Sequence, residues 1–297
     1  MKILLIGANG QLGSDLRKEL ASHVVFSSAR VNIYQTQQNE TAVRLDIANI
    51  TDIKAFFEQT RPDIVINTSA FHRVDEIERD ASQALAINAN AVHQLALVCR
   101  QFDVDLLHIS TDYVYDGAQN TPYAESDLPN PLSAYGASKL VGEHLIRSAW
   151  QKHYIIRTCG LYGLAGASGK GGNFVNTMLR LANEGKEIKV VCDQICTPTF
   201  TSDLAKQIAL LIETKAYGLY HCTNDGACSW YEFAVEIFHL AKLNPSLKPI
   251  LSAEFNAPAQ RPPYSVLKNA KLSHLNIDRM RHWHDALGDY IHQKTKM

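Results

Sequence analysis

A phenol and an ammonium stand four residues apart in Tyr135-Gly-Ala-Ser-Lys139. On a helix, residues i and i+4 share a face, so the pair can act on one bound molecule. A cation about 4 Å from a phenol, at an effective dielectric of about 20, contributes roughly 4 kcal/mol. That is about what lowering a tyrosine from about 10 to about 7 requires. Such a phenol is a general acid, able to protonate a carbonyl oxygen as negative charge gathers on it. The spacing alone is common, so its meaning depends on what lies upstream. There the apolar run 104–109 reads as a buried strand whose end delivers Ser110, Thr111 and Asp112. Ligands of open α/β sheets bind beyond the carboxyl ends of strands, which places Thr111 where a substrate carbonyl would lie.

The elements that must position these groups begin at the first residues. Residues 2–6 form a short apolar strand running into Gly7-Ala-Asn-Gly10-Gln-Leu-Gly13, after which Leu12, Leu16 and Leu20 recur at helical spacing. Strand, glycine turn and helix start together make a phosphate site, because backbone N–H groups converge there and the helix dipole favours an anion. The second strand, 23–27, ends in Ser27-Ser-Ala-Arg30 where NAD-binding sites carry an acidic residue. Two hydroxyls and a guanidinium suit a 2′-phosphate instead, which favours NADPH, with NADH as the alternative. Asp46 ends a strand at 43–45 and is placed to bond the adenine amino group. The continuous apolar strand 64–66 suits a parallel sheet covered on both faces. It leads into Asn67-Thr-Ser69-Ala70, small residues that let a dinucleotide pass close to the backbone. A helix over 81–102 carries Ala84, Ile87, Ala91, Leu95 and Val98 on one face, with Asn88 beside the stripe.

The alternation of strand and helix predicts an α/β protein, a Rossmann-like doubly wound parallel sheet with a smaller α/β substrate lobe. Residues 1–157 form the dinucleotide-binding body, with a returning segment at about 195–215. The lobe takes about 158–194 and 216–297. A glycine-rich loop at 163–172 is the longest flexible segment. The 297 residues carry a net charge of −1 and no basic run, which argues against nucleic acid as a partner. No apolar run is long enough for a membrane span or a signal peptide. The six cysteines are scattered and lack metal-ligand spacing. They read as structural thiols in a reducing, cytoplasmic setting, with no metal.

With these residues placed, the chain resembles the extended short-chain dehydrogenase/reductases, and within them the dTDP-4-dehydrorhamnose reductase family. The likeness rests on GANGQLG at 7–13, LDI at 45–47, VDEIE at 74–78, STDYVYDG at 110–117 and SAYGASKLVGE at 133–143. It continues in NFVNTMLRLA at 173–182, DQICTPTFTSDLA at 193–205 and Arg261-Pro262. The resemblance implies a catalytic trio of Thr111, Tyr135 and Lys139. Tyr135 would protonate a 4-keto oxygen, Lys139 would hold the nicotinamide ribose, and Thr111 would bond the carbonyl oxygen. Cofactor contacts would come from Gly7, Asn9, Gly10, Gln11, Leu12 and Gly13. Arg30, Asp46, Ile47, Ser69 and Ala70 would complete them, together with Tyr135 and Lys139. Val74, Asp112 and Tyr113 would border the sugar, and Asn173 and Arg261 its diphosphate.

The implied substrate is a dTDP-4-keto-6-deoxy-sugar, reduced at C4, by a protein that the class expects to be a homodimer. A tyrosine after Thr-Asp argues for simple reduction over dehydration. Gly160, the length of the 163–172 loop and the bulk of Phe71-His72-Arg73 depart from the family pattern. These departures leave a related product open, of the talose or dihydrostreptose type. Two further alternatives are a sugar-nucleotide epimerase or dehydratase that recycles its NAD, and a non-catalytic NADP-bound regulatory subunit like that of methionine adenosyltransferase. The regulatory alternative has no need of an intact trio.

Overall fold

The computed structural model describes residues 1–30, 36–165 and 172–296. Six strands in chain order, β1 (Lys2–Ile6), β2 (Val24–Ala29), β3 (Glu40–Arg44), β4 (Ile64–Asn67), β5 (Asp105–Thr111) and β6 (His153–Thr158), join Gly218–His221 in one sheet. The order is β3-β2-β1-β4-β5-β6 followed by Gly218–His221, with every pairing parallel. The order reverses between β1 and β4, which opens a crevice beyond their carboxyl ends.

The period-two alternation of a strand decides which core each residue enters. On β1, Ile3 and Leu5 pack with Leu16, Leu204 and Ile208 on one face of the sheet. Leu4 and Ile6 pack with Ile53, Phe57, Leu95 and Ile146 on the other. Both faces are therefore covered, which is why the run 64–66 is apolar at every position. The first face is closed by the helices α1 (Gln11–Glu19) and Thr201–Glu213, the second by Ile50–Thr60, Val92–Phe102 and Ala134–Ala149. Each fully buried Leu, Ile or Phe contributes about 1.5–3 kcal/mol.

A third core, built from Val175, Phe200, Phe233, Trp283 and Tyr290 among others, lies outside the main sheet. Two-stranded pairs border it, including Ile188–Val191 with Leu247–Ile250. The sequence reading gave residues 216–297 wholly to this lobe. Gly218–His221 instead hydrogen-bonds along β6 and completes the large sheet. A four-residue strand at a sheet edge carries too short a pattern to declare its partner.

The predicted single helix over 81–102 is broken into Ser82–Leu85, a π-helical turn at Ala86–Ala91, and Val92–Phe102. Such a turn is a local widening inside an α-helix, common near functional sites. The six cysteines are free thiols, five of them buried. Among the described residues no helix is long and apolar enough to cross a membrane, and no cluster of metal-ligating side chains occurs. The central residues of the glycine-rich loop, 166–171, lie outside the described residues.

Candidate active site

A cleft of about 720 Å³ runs along the carboxyl ends of the strands, from the glycine turn to the Tyr135 helix. Its first end is made of backbone. Gly7 takes φ +86, a conformation side chains rarely adopt, and a Cβ on Gly13 would sit 2.2 Å from Gly7 O. The turn can therefore pack this tightly only with glycine at both positions. Gly10 caps α1 without any side-chain hydrogen bond. The first N–H groups of α1 thus have no side-chain acceptor at the cap, the arrangement that receives a phosphate. Asn9, Gly10, Gln11 and Leu12 line this end, as do Arg30, Asp46 and Ile47 farther along.

The two serines before Arg30 are a correction. Ser27 and Ser28 are fully buried, and Ser28 Oγ donates to Leu45 O. Both lie within the sheet and neither lines the cleft, so only the exposed Arg30 guanidinium remains to distinguish a 2′-phosphate.

The other end is made of side chains. Ser133 caps the Ala134–Ala149 helix by accepting from Gly136 N at 3.2 Å, which points Tyr135 and Lys139 at the tip of β5. Thr111 and Tyr135 line the same stretch of the cleft. Thr111 Oγ1 accepts from Tyr113 N at 3.2 Å and donates to Asp112 Oδ1 at 3.1 Å. Asp112 is buried, takes a hydrogen bond from Cys159 Sγ at 3.0 Å, and burial pushes its carboxyl up from the ordinary range. The Tyr113 and Tyr135 rings meet edge-on at 6.0 Å. Ser69, Ala70 and Val74 form the facing wall.

Lys139 does not lower Tyr135 here, contrary to what the i,i+4 spacing suggested. Burial, and next the Asp112 carboxylate, push the Tyr135 phenol above its ordinary value. The Lys139 amine is turned inward, donating to Ile109 O at 2.7 Å and meeting His108 Nε2 at 3.0 Å. Burial brings it down to about 8, with Glu143 opposing. A helical repeat brings two residues to one face, but the depth of burial and the partners waiting there decide their charge.

Asn173 lines the cleft as the N-cap of Phe174–Asn183, accepting from Asn176 N and donating to Gly163 O at 2.9 Å. Arg261 is not on the cleft wall. Its guanidinium reaches both oxygens of Asp75 at 3.1 Å and Ala259 O at 3.0 Å, while the adjoining Pro262 does line the cleft. Asn88 shapes the wall indirectly. It accepts from Phe71 N at 2.8 Å, and its amide donates to Phe71 O at 2.8 Å and Ser138 Oγ at 3.0 Å. It thereby ties the loop after β4 to the helix of Tyr135.

Several groups escaped the sequence reading. Phe174 and Trp230 meet at 4.7 Å with their rings tilted by 48°, and they line the cleft together with Cys159 and Cys196. His108 and Asn67 sit behind Lys139. The signal for His108 was present as a polar residue directly after Leu106 and Leu107 in a buried strand. The aromatic pair joins residues far apart in sequence and left none.

Residues 1–296 match the family model described as the RmlD substrate binding domain. The fold superimposes on the crystal structure of a dTDP-4-dehydrorhamnose reductase from Clostridium acetobutylicum, with a TM-score of 0.90, 41% identity and 100% of both chains covered. A dTDP-4-dehydrorhamnose reductase from Bacillus anthracis, solved in complex with NADP, gives a TM-score of 0.87 and 36% identity over 98% of this chain and 99% of that one. The spore coat polysaccharide biosynthesis protein SpsK of Bacillus subtilis is 37% identical over 99% of this chain and 98% of its own length. With a whole-length family match and a parallel sheet that opens its cleft at the strand reversal, the chain belongs to the dTDP-4-dehydrorhamnose reductase family of the extended short-chain dehydrogenase/reductases.

Proposed function

We propose that the protein reduces the C4 ketone of a dTDP-4-keto-6-deoxy-sugar with NADPH, giving dTDP-L-rhamnose or a close relative of it. The observation that carries this reading is that Thr111 and Tyr135 line the same cleft as the glycine turn. The residues at that turn fit a dinucleotide. A Cβ on Gly7 would collide with Thr68 and one on Gly13 with the backbone of Gly7 and Ala8, so the turn holds its tight shape, and the start of α1 offers N–H groups to an anion. Arg30 at the far end supports the 2′-phosphorylated form.

A bound reduced dinucleotide supplies the hydride for C4. Tyr135 donates its proton to the C4 oxygen as that oxygen gains charge, and Thr111 helps to hold the oxygen in place. Because burial keeps the phenol protonated, Tyr135 holds a proton to give at neutral pH. Solvent restores that proton after the alcohol leaves. Lys139 would hold the nicotinamide ribose on turning from Ile109 O. Asp112, Tyr113 and Val74 would bound the sugar and Asn173 its diphosphate, while Arg261 would have to leave Asp75 to join them.

Purified protein given NADPH and dTDP-4-keto-6-deoxy-L-mannose should oxidise the cofactor in step with product. NMR of the new C4 centre separates the rhamnose configuration from its epimer. Cofactor oxidation that survives Tyr135→Phe unchanged would refute the assigned acid. Failure of every dTDP-, UDP- and GDP-linked keto-sugar would refute the reductase reading.

A further inference from the structure

Behind Lys139 lies a chain of hydrogen bonds whose donors and acceptors can be counted. The Ser69 backbone N–H donates to Asn67 Oδ1 at 3.1 Å, and Ser69 Oγ donates to the same oxygen at 2.6 Å. A backbone N–H can only be met by the amide oxygen, so the other half of the amide is fixed. Asn67 Nδ2 then faces His108 Nδ1 at 3.0 Å and must donate to it. A neutral imidazole whose Nδ1 accepts carries its proton on Nε2. That Nε2 stands 3.0 Å from Lys139 Nζ. All of Asn67, His108 and Lys139 are buried, so no solvent relieves a mismatch.

We propose that His108 is a positioning residue that donates Nε2–H to Lys139 and so favours its neutral amine over the ammonium. The amine lone pair receives the imidazole proton, while one amine N–H still meets Ile109 O. An ammonium would face a donor at Nε2 or force a proton onto Nδ1, where the Asn67 amide already donates. Other charges around the amine do not undo this. Glu143 lies one turn along the same helix but is engaged by Arg157 and Ser110 Oγ. Tyr135 is a neutral phenol, and Asp112 lies beyond it at the tip of β5. Burial acts in the same direction on both partners, lowering His108 and Lys139 alike. The proposal extends the functional reading above only in naming what tunes Lys139, and the wiring itself does not depend on any substrate.

The test is NMR of the full-length protein labelled with ¹⁵N in its histidine rings and ¹³C at the lysine ε-carbons. His108, identified by the signal lost in His108→Gln, should show a protonated Nε2 and a bare Nδ1 at pH values above the lysine midpoint. Lys139 should titrate below the ordinary lysine range. In Asn67→Asp the new carboxylate accepts from Nδ1–H, so the tautomer should switch and the lysine midpoint rise by about one unit or more. In His108→Gln the amide oxygen can turn to the amine, and the midpoint should rise as well. A general loosening of the fold would lower the melting temperature without moving either signal. A protonated Nδ1 in the unsubstituted chain above the lysine midpoint, or a lysine midpoint unmoved in both variants, overturns the proposal. Correct NMR with no turnover of any keto-sugar leaves the wiring standing and removes the reductase reading instead.

Discussion

The two ends of the cleft are built by different means. The glycine turn presents main chain, with Gly7 O and the site of a Gly13 Cβ only 2.2 Å apart. The Tyr135 end presents side chains that reach across the fold, backed by a buried Arg157–Glu143 pair with both side chains 2% exposed. Arg157 Nη2 meets Glu143 Oε2 at 2.6 Å, and Ser110 Oγ donates to Oε1. A main-chain site fails when its space is filled. A site of buried charges fails when a partner is taken away. The two ends should therefore answer to different substitutions, and each experiment below exploits that.

The largest effect is expected at the chemical end. Tyr135→Phe should lower kcat by about 10²- to 10⁴-fold while leaving dinucleotide affinity within about threefold, since the turn is untouched. Steady-state kinetics beside fluorescence titration of NADPH measures both, and a matching loss of affinity would erase the contrast between the ends.

Next comes the buried pair. Glu143→Ala leaves the Arg157 charge unpaired and should cost about 3–5 kcal/mol in denaturant unfolding. Replacing both residues with apolar ones of similar volume should cost far less, which separates the penalty of a stranded charge from the worth of the pair. Equal losses in the single and double variants would count against this account.

Gly13→Ala should cost about 1–3 kcal/mol of stability and weaken NADPH binding more than it slows turnover at saturating cofactor. A crystal structure or NADPH titration showing the turn unchanged would break the backbone side of the comparison. The smallest change is expected at Arg30. Because it is exposed, Arg30→Ala should raise the Kd for NADPH by only about tenfold and leave NADH unaltered. Equal losses for both cofactors would mean that the guanidinium does not read the 2′-phosphate.

The same division explains what could be read from the sequence. The glycine turn, the strand ending at Thr111 and the capped helix of Tyr135 and Lys139 are local patterns, and each stands where its spacing predicts. The charge of Lys139 is another matter. It depends on His108 in β5 and Asn67 in β4, which approach it only through strand order. Ser27 and Ser28 look available in a list of residues and are buried by the pairing with β3. Arg261 looks free before its proline and is held by Asp75, 186 residues away. Neighbours along the chain are legible; neighbours across the sheet become so only once the order of strands is known.

The π-helical turn at Ala86–Ala91 carries a lesson for anyone redesigning this cleft. One surplus residue there swivels everything upstream by roughly a quarter of a circle relative to Val92–Phe102. Trimming a single amino acid would restore a regular helix and improve its local geometry. It would also swing Asn88 off Phe71 and Ser138, uncoupling one wall of the cavity from the helix that holds the acid. Here the imperfect coil is the useful one, and such a deletion would be expected to yield a more regular helix with a slacker binding site.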